Sequence, residues 1–311
     1  MEHRWIVPLN AVKLEQKELL PPAVTIVDTV YEVGVSSFGA SASLANLCEV
    51  CAVLNGATAP VPAFSGALTA GGALPDKVVS VEVESGTITL QIENDLSFDP
   101  IAGGGTAILT VFGPDGGQAM AALALASPED SLPPGRTTTR VVTIAGGAVV
   151  GGLAARLELA SSGGQTVAIG ADDRIRLDVA TTLLRVRAVT VRVDGLSASL
   201  TPKTVDVDDL DHHLLDGVLS GKAILAVRNP FDAALTGAID IGGILREIAV
   251  PVDPSSSMEV DFTGDELRAI LSGPRLVLSG WGSVSGGPTR LTPASELVIA
   301  PTFDIVMEVG R

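Results

Sequence analysis

The second half of this 311-residue chain repeats its middle, strand for strand. The run Ser85-Gly86-Thr87-Ile88-Thr89-Leu90-Gln91-Ile92-Glu93-Asn94-Asp95 lies 135 positions before Ser220-Gly221-Lys222-Ala223-Ile224-Leu225-Ala226-Val227-Arg228-Asn229-Pro230. The two runs pair without a gap: Ser-Gly, an alternating strand, then Asn and a turn. Thr143-Ile144-Ala145-Gly146 matches Phe262-Thr263-Gly264 at a spacing of 118, and Ile175-Arg176-Leu177-Asp178-Val179 matches Glu296-Leu297-Val298-Ile299 at about 120. A duplication of this length constrains architecture rather than chemistry.

Length points the same way, because a chain of this size exceeds the usual single core. Apolar residues make up 46% of the chain and aromatic residues only 3%, so its cores must be filled by Val, Ile, Leu and Ala. Such β-branched, Gly-rich content suits pleated sheets joined by tight turns. The mean hydropathy of +0.43 excludes a disordered polymer. No apolar run reaches the roughly 18 to 20 residues that a bilayer-spanning helix needs. The formal charge of −16, from 36 acidic and 20 basic residues, argues against a nucleic-acid partner, which would call for a basic stripe.

Three segments are expected. Residues 1–76 form an irregular N-terminal segment, laid against the first repeat, with short strands at Trp5-Ile6-Val7-Pro8 and Val24-Thr25-Ile26-Val27. Helical turns fall within residues 41–54, ended by Asn55-Gly56. The first repeat spans 77–200. There Val79, Val81 and Val83 alternate with polar residues, Ser85-Gly86 makes a hairpin, and Ile88, Leu90 and Ile92 continue the period of two. The second repeat spans 201–311 and carries one short helix at Asp265–Leu271, with separate strands at Leu297–Ile299 and Phe303–Val309. Short strands with turn signals about every ten residues predict an all-β protein. The expected fold is two tandem, related antiparallel β-sandwiches of the fibronectin-III or immunoglobulin kind.

The strand ending in Arg228-Asn229-Pro230-Phe231, followed by Leu235, Ala238-Ile239-Asp240-Ile241 and Ser255-Ser256-Ser257, resembles the late-embryogenesis-abundant type 2 or water-stress (WHy) module. The first copy keeps Asn94 but reads Asn94-Asp95-Leu96-Ser97-Phe98-Asp99-Pro100, without the Asn-Pro dipeptide. The chain also resembles bacterial envelope proteins of no known activity that join an early C-x-x-C-x-x-x-N-G stretch, here Cys48 to Gly56, to two such sandwiches. The resemblance implies a fibronectin-III-like sandwich acting as a binding or protective module, and it implies no catalytic residues.

Chemistry-bearing constellations are few. Cys48-Glu49-Val50-Cys51 is a lone C-x-x-C, without a second pair for zinc, a following His for haem, or a βαβ setting for thioredoxin-like exchange. It reads as a local disulfide in an oxidising compartment, against two buried free thiols. The start Met1–Pro8 shows no basic segment followed by an apolar one, although a processed start would look the same. Asp206, Asp208 and Asp211, with Asp209, His212 and His213, form the best metal candidate, since alternate carboxylates on an extended strand suit Ca²⁺. The plainer account is a solvated acidic strand and a helix start capped by Asp211. His3, His212 and His213 are the only histidines, and no G-x-S-x-G elbow accompanies them. Asp172-Asp173 and Glu266 read as turn and helix-cap residues. Trp281, between Gly280 and Gly282, is either a partner-contact residue or a core plug.

The expectation is a non-enzymatic structural or interaction protein of the bacterial cell envelope, without a cofactor and without a membrane span of its own. It would lie outside the cytoplasm as a membrane-extrinsic subunit that holds a larger protein assembly together. The alternative is a carrier of apolar ligands such as lipids, its smooth Val-, Leu- and Ala-lined sandwich opening a groove.

Overall fold

The computed structural model describes residues 2–114, 118–127, 129–206 and 215–308. Among them the fold is all-β, and the chain divides into two compact units in a nested order: residues 22–189 form one, and residues 1–21 together with 190–311 form the other. We call these the inserted unit and the split unit.

The chain opens on β1 (Glu2–Pro8) and β2 (Val12–Glu15), then a 3-10 turn at Gln16–Leu19. The inserted unit begins with β3 (Val24–Val27), β4 (Val30–Val33), β5 (Phe38–Ser43) and the helical turns α1 (Leu44–Leu47) and α2 (Glu49–Val53). It continues through β6 (Thr58–Pro60), β7 (Phe64–Ala73), β8 (Val78–Asn94), β9 (Thr106–Phe112) and β10 (Ala121–Leu125). Then come β11 (Arg136–Ile144), β12 (Gly147–Val150), β13 (Gly152–Ser161), β14 (Thr166–Ala168) and β15 (Arg174–Thr181), and β16 (Leu184–Arg192) leads out. The split unit resumes with β17 (Leu196–Asp206), β18 (Val218–Arg228), β19 (Ala233–Ile241), β20 (Ile244–Val250) and β21 (Ser255–Thr263). Helix α3 (Gly264–Leu271), β22 (Arg275–Gly286), β23 (Pro288–Leu291) and β24 (Glu296–Glu308) complete it.

Each unit is a sandwich with the same connectivity. In the inserted unit the antiparallel sheets run β10-β9-β13-β7 and β11-β8-β15-β5. In the split unit they run β20-β19-β22-β17 and β21-β18-β24-β2. The pairing register carries the sequence repeat into three dimensions. Leu90 faces Arg140 and Val179; Leu225, 135 positions later, faces Met258 and Pro301, which lie 118 and 122 positions after those partners. The match extends to the first strand of each sandwich, since Ala42 of β5 faces Ile175 and Leu14 of β2 faces Leu297.

The N-terminal residues therefore do not form a segment of their own against the first repeat. β1 and β2 pair with β24 along its length, and β2 also bridges β17 at Lys13–Thr201, which joins the two sheets of the split unit along one edge. Residues 22–76 belong to the inserted unit. A strand pairs where its inward face finds a core, and Val12 and Leu14 are buried at 0% and 1% exposure. Two local expectations also change. Ser85-Gly86 makes no hairpin: β8 runs straight through, its first half pairing with β12 and its second with β11 and β15. Gly86 instead admits a neighbour, because a Cβ there would lie 2.6 Å from Leu184 Cδ2; the matching Gly221 would meet Leu267 Cδ1 at 2.9 Å. Residues 297–308 are one strand rather than two, and Pro301, which has no N–H to pair, falls where the edge partner of β24 changes from β2 to β1.

Alternation fills the cores with aliphatic side chains, among them Ile88, Leu90, Leu109, Leu157 and Leu177 in one unit and Leu225, Ile239, Leu278 and Ile299 in the other. One edge-to-face aromatic pair joins each core, Phe64–Phe98 at 6.2 Å and Phe262–Phe303 at 5.8 Å. Helix α3 carries a reciprocal capping box between Thr263 and Glu266. Arg246 donates to Glu266 at 2.6 Å and lies 4.8 Å over the Phe262 ring; that hydrogen bond is the first cause holding the Glu266 carboxyl below its ordinary pKa.

The strongest signature of duplication is a buried amide. Asn94, at the end of β8, donates to the carbonyls of Phe98 (2.9 Å) and Leu132 (2.6 Å) and accepts from the N–H of Leu96 at 3.0 Å. Asn229, at the end of β18, donates to Ala233 (2.9 Å) and Pro251 (2.8 Å) and accepts from Phe231 at 3.1 Å. Both residues are shut from solvent, at 0% and 1% exposure. Asn94→Ala leaves two carbonyls and one N–H buried without partners, and Asn229→Ala strips the buried Ala233 carbonyl and Phe231 N–H of theirs, so each should lower the unfolding free energy by about 2–4 kcal/mol. Urea denaturation of each variant reads this, and losses below about 1 kcal/mol in both would remove the amides as the pins of these turns.

Candidate interaction face

Strand β22 reads Arg275-Leu276-Val277-Leu278-Ser279-Gly280-Trp281-Gly282-Ser283-Val284, and its period of two sorts the residues by face. Leu276, Leu278 and Val284 point into the core at 0%, 0% and 3% exposure, while Trp281 stands on the outer face at 51%. Ser199 of β17 and Ala238 of β19 lie directly opposite the tryptophan, and Glu247 of β20 lies opposite Ala238. Ser279 pairs with Asp240, which in turn faces Leu245. The tryptophan thus rises from a floor of short side chains, with two carboxylates at one side. Leu245 and Val277 are the other exposed large apolar residues of this face.

The inner side beneath it is built of glycine. A Cβ on Gly237 would collide with the Trp281 carbonyl oxygen and Gly282, and one on Gly280 would lie 2.8 Å from Leu200 Cδ1. Close approach of β19 and β22 fixes the backbone from which the indole projects. The core-plug account of Trp281 does not hold, because the core positions beside it are taken by Leu200, Leu278 and Val284. Of ten aromatic residues, nine are buried or half-buried, and Trp281 alone stands in solvent. A half-exposed indole leaves on the order of 100 Å² of apolar area, roughly 2.5 kcal/mol of burial energy, open to a partner.

Other residues singled out from the sequence are placed as follows. Cys48 and Cys51 are joined in a disulfide (S–S 2.02 Å), with 4% and 0% exposure, so both sulfurs are sheltered from an exchanging thiol. On the same knuckle Val50 and Val53 are exposed. Asp206 ends β17 and pairs with Arg275 at 3.2 Å on the surface. Asp208, Asp209, Asp211, His212 and His213 lie outside the described residues. Among the described residues no group of three or more His, Cys, Asp or Glu could hold a metal ion. His3 is exposed on β1 opposite Met307. Asp173 sits near Asp95 and Asp172, and burial first, then those charges, raises its pKa.

Sequence reasoning missed three features. The sequence shows Asn94 and Asn229 only as residues that precede turns, not as buried pins. Asp304 is 7% exposed and is held by both Nε and Nη2 of Arg4, at 2.8 and 2.7 Å; the one available signal was a carboxylate inside the apolar run Phe303-Asp304-Ile305. The hydroxyl of buried Tyr31 has no partner among the described residues, and burial pushes its pKa up.

No protein-family model and no curated protein matches the chain. Among solved structures, a candidate secreted protein of Parabacteroides distasonis ATCC 8503 is 12% identical, covers 99% of this chain and 100% of its own, and has a TM-score of 0.39. The glycosylasparaginase PNGase F of Flavobacterium meningosepticum is 11% identical, over 87% of this chain and 96% of its own, at 0.19. A structure of infectious bursal disease virus Gt strain is 10% identical, over 99% of this chain and 41% of its own, at 0.18. None of these likenesses carries an argument about function.

Two measurements check this placement. Trp281→Ala should change stability in urea by less than about 1 kcal/mol, whereas Leu278→Ala should cost about 2–5 kcal/mol; comparable losses would put the indole in the core. The protein unfolded in denaturant without reductant should show no free thiol to a colorimetric reagent and two after reduction. Two thiols before reduction would contradict the Cys48–Cys51 bond.

Proposed function

We propose that this protein is a non-enzymatic structural or interaction protein of the bacterial cell envelope: a membrane-extrinsic subunit whose duplicated sandwiches, related to the WHy-type module, present surfaces that hold a larger assembly together. The observation that carries the reading is Trp281, an aromatic side chain kept in solvent on an ordered sheet face by a chain that has few aromatics to fill its cores. Exposed tryptophans on rigid elements anchor recognition because they bring large area at small entropic cost.

Two further observations support it. What the copies share is architectural: the same strand order and the same buried asparagine pin. The Cys48–Cys51 disulfide suits an oxidising compartment such as the periplasm or cell surface. No helix among the described residues is long and apolar enough to cross a membrane.

Capture from native cell envelopes tests the reading. Immobilised wild-type protein should retain a stoichiometric envelope component that the Trp281→Ala variant does not. Wild-type protein that stays free and monomeric, retaining nothing, would overturn it.

A further inference from the structure

The chemistry of the Trp281 face specifies its occupant more narrowly. Hydroxyl side chains surround the indole: Ser199 opposite, Ser279 and Ser283 two positions away along β22, and Thr236 diagonal on β19. None of these hydroxyls has a protein partner in a side-chain hydrogen bond among the described residues, so each faces outward with donor and acceptor capacity to spare. Asp240 and Glu247 add acceptors, Asp240 keeping one carboxylate oxygen free while the other takes the Gly243 N–H at 2.7 Å. No lysine or arginine stands directly opposite Trp281 or two positions from it along β22.

We infer that this face of the split unit binds a neutral glycan chain, one sugar ring stacking on the Trp281 indole and its hydroxyls bridging to the Ser, Thr and carboxylate side chains around it. The inference rests on the reading of Trp281 as a recognition residue and names the partner's chemistry. A pyranose ring presents electropositive C–H groups on a flat face and hydroxyls at its rim, and an indole presents a negative π face. The floor of Ser and Ala lets the ring lie down without a steric wall. An anionic glycan would meet Asp240 and Glu247 as like charges. An extended peptide would find little to pair with, because β22 is hydrogen-bonded on both edges, to β17 and β19, and offers no free backbone.

Affinity electrophoresis of the full chain through gels holding neutral polysaccharides (a mixed-linkage β-glucan, hydroxyethylcellulose, galactomannan or dextran) reads the binding. Fluorescence titration with the matching hexasaccharides reads the stacking, since Trp5 and Trp281 are the only tryptophans and Trp5→Phe isolates the signal. Wild type and Trp5→Phe should be retarded by at least one of these polymers, with an emission shift that saturates. Trp281→Ala should bind at least tenfold more weakly, and Ser199→Arg, which places a long cation over the floor and leaves the indole intact, should also weaken binding. Retardation by none of the four, or equal binding by Trp281→Ala, would overturn the inference. A protein component retained from envelopes in a Trp281-dependent way, with no glycan bound, would overturn the glycan and leave the interaction reading standing. Failure of both would remove the face as a recognition surface.

Discussion

The fold turns on an amide held where water cannot reach it. At the end of β8 and again at the end of β18, an asparagine supplies two donors and one acceptor to backbone groups of the turn that follows and of a loop distant in sequence. A buried unpaired carbonyl or N–H costs about 1–3 kcal/mol, so the amide stabilises the point where the chain leaves the strand. That pin marks the end of a central strand in each sandwich, β8 in one and β18 in the other. The strands on either side keep the same pairing in both copies, at offsets of 118, 135 and 122. Loops of different length join strands whose pairing is otherwise the same.

Nesting follows from the edge of the sheet rather than from any linker. Strand β2 is separated from the next strand of the split unit, β17, by the whole inserted unit, yet it pairs in the position that β5 takes in the other copy. An unpaired edge beside β24 would expose its backbone groups and the apolar residues beneath, and Val12 and Leu14 close it. Burial, not proximity along the chain, decides which body a strand joins.

The face that carries Trp281 uses the same alternation with opposite content. Inward, three glycines let two backbones approach; outward, short hydroxylated side chains leave the indole standing clear. Of this arrangement the sequence shows the Gly-Trp-Gly run and little more. Flanking glycines are compatible with a plug or a platform, and only the cross-strand neighbours Ser199 and Ala238, from strands 82 and 43 positions upstream, distinguish the two. For Cys48 and Cys51 the sequence left a disulfide and two buried thiols open, and the structure joins them across a helical turn, where residues three apart are neighbours whatever the rest of the chain does.

The sequence by itself determined the all-β character, most strand positions, the short helix expected at residues 265–271 and the existence of two related repeats, because periodicity, turn residues and capping are local. Tertiary structure alone decided that β2 belongs with β24, that Ser85-Gly86 runs straight instead of turning, and that Trp281 faces solvent. Each of those depends on what lies across the sheet, and a strand's neighbours are set by the burial that long-range pairing achieves, which no local pattern encodes.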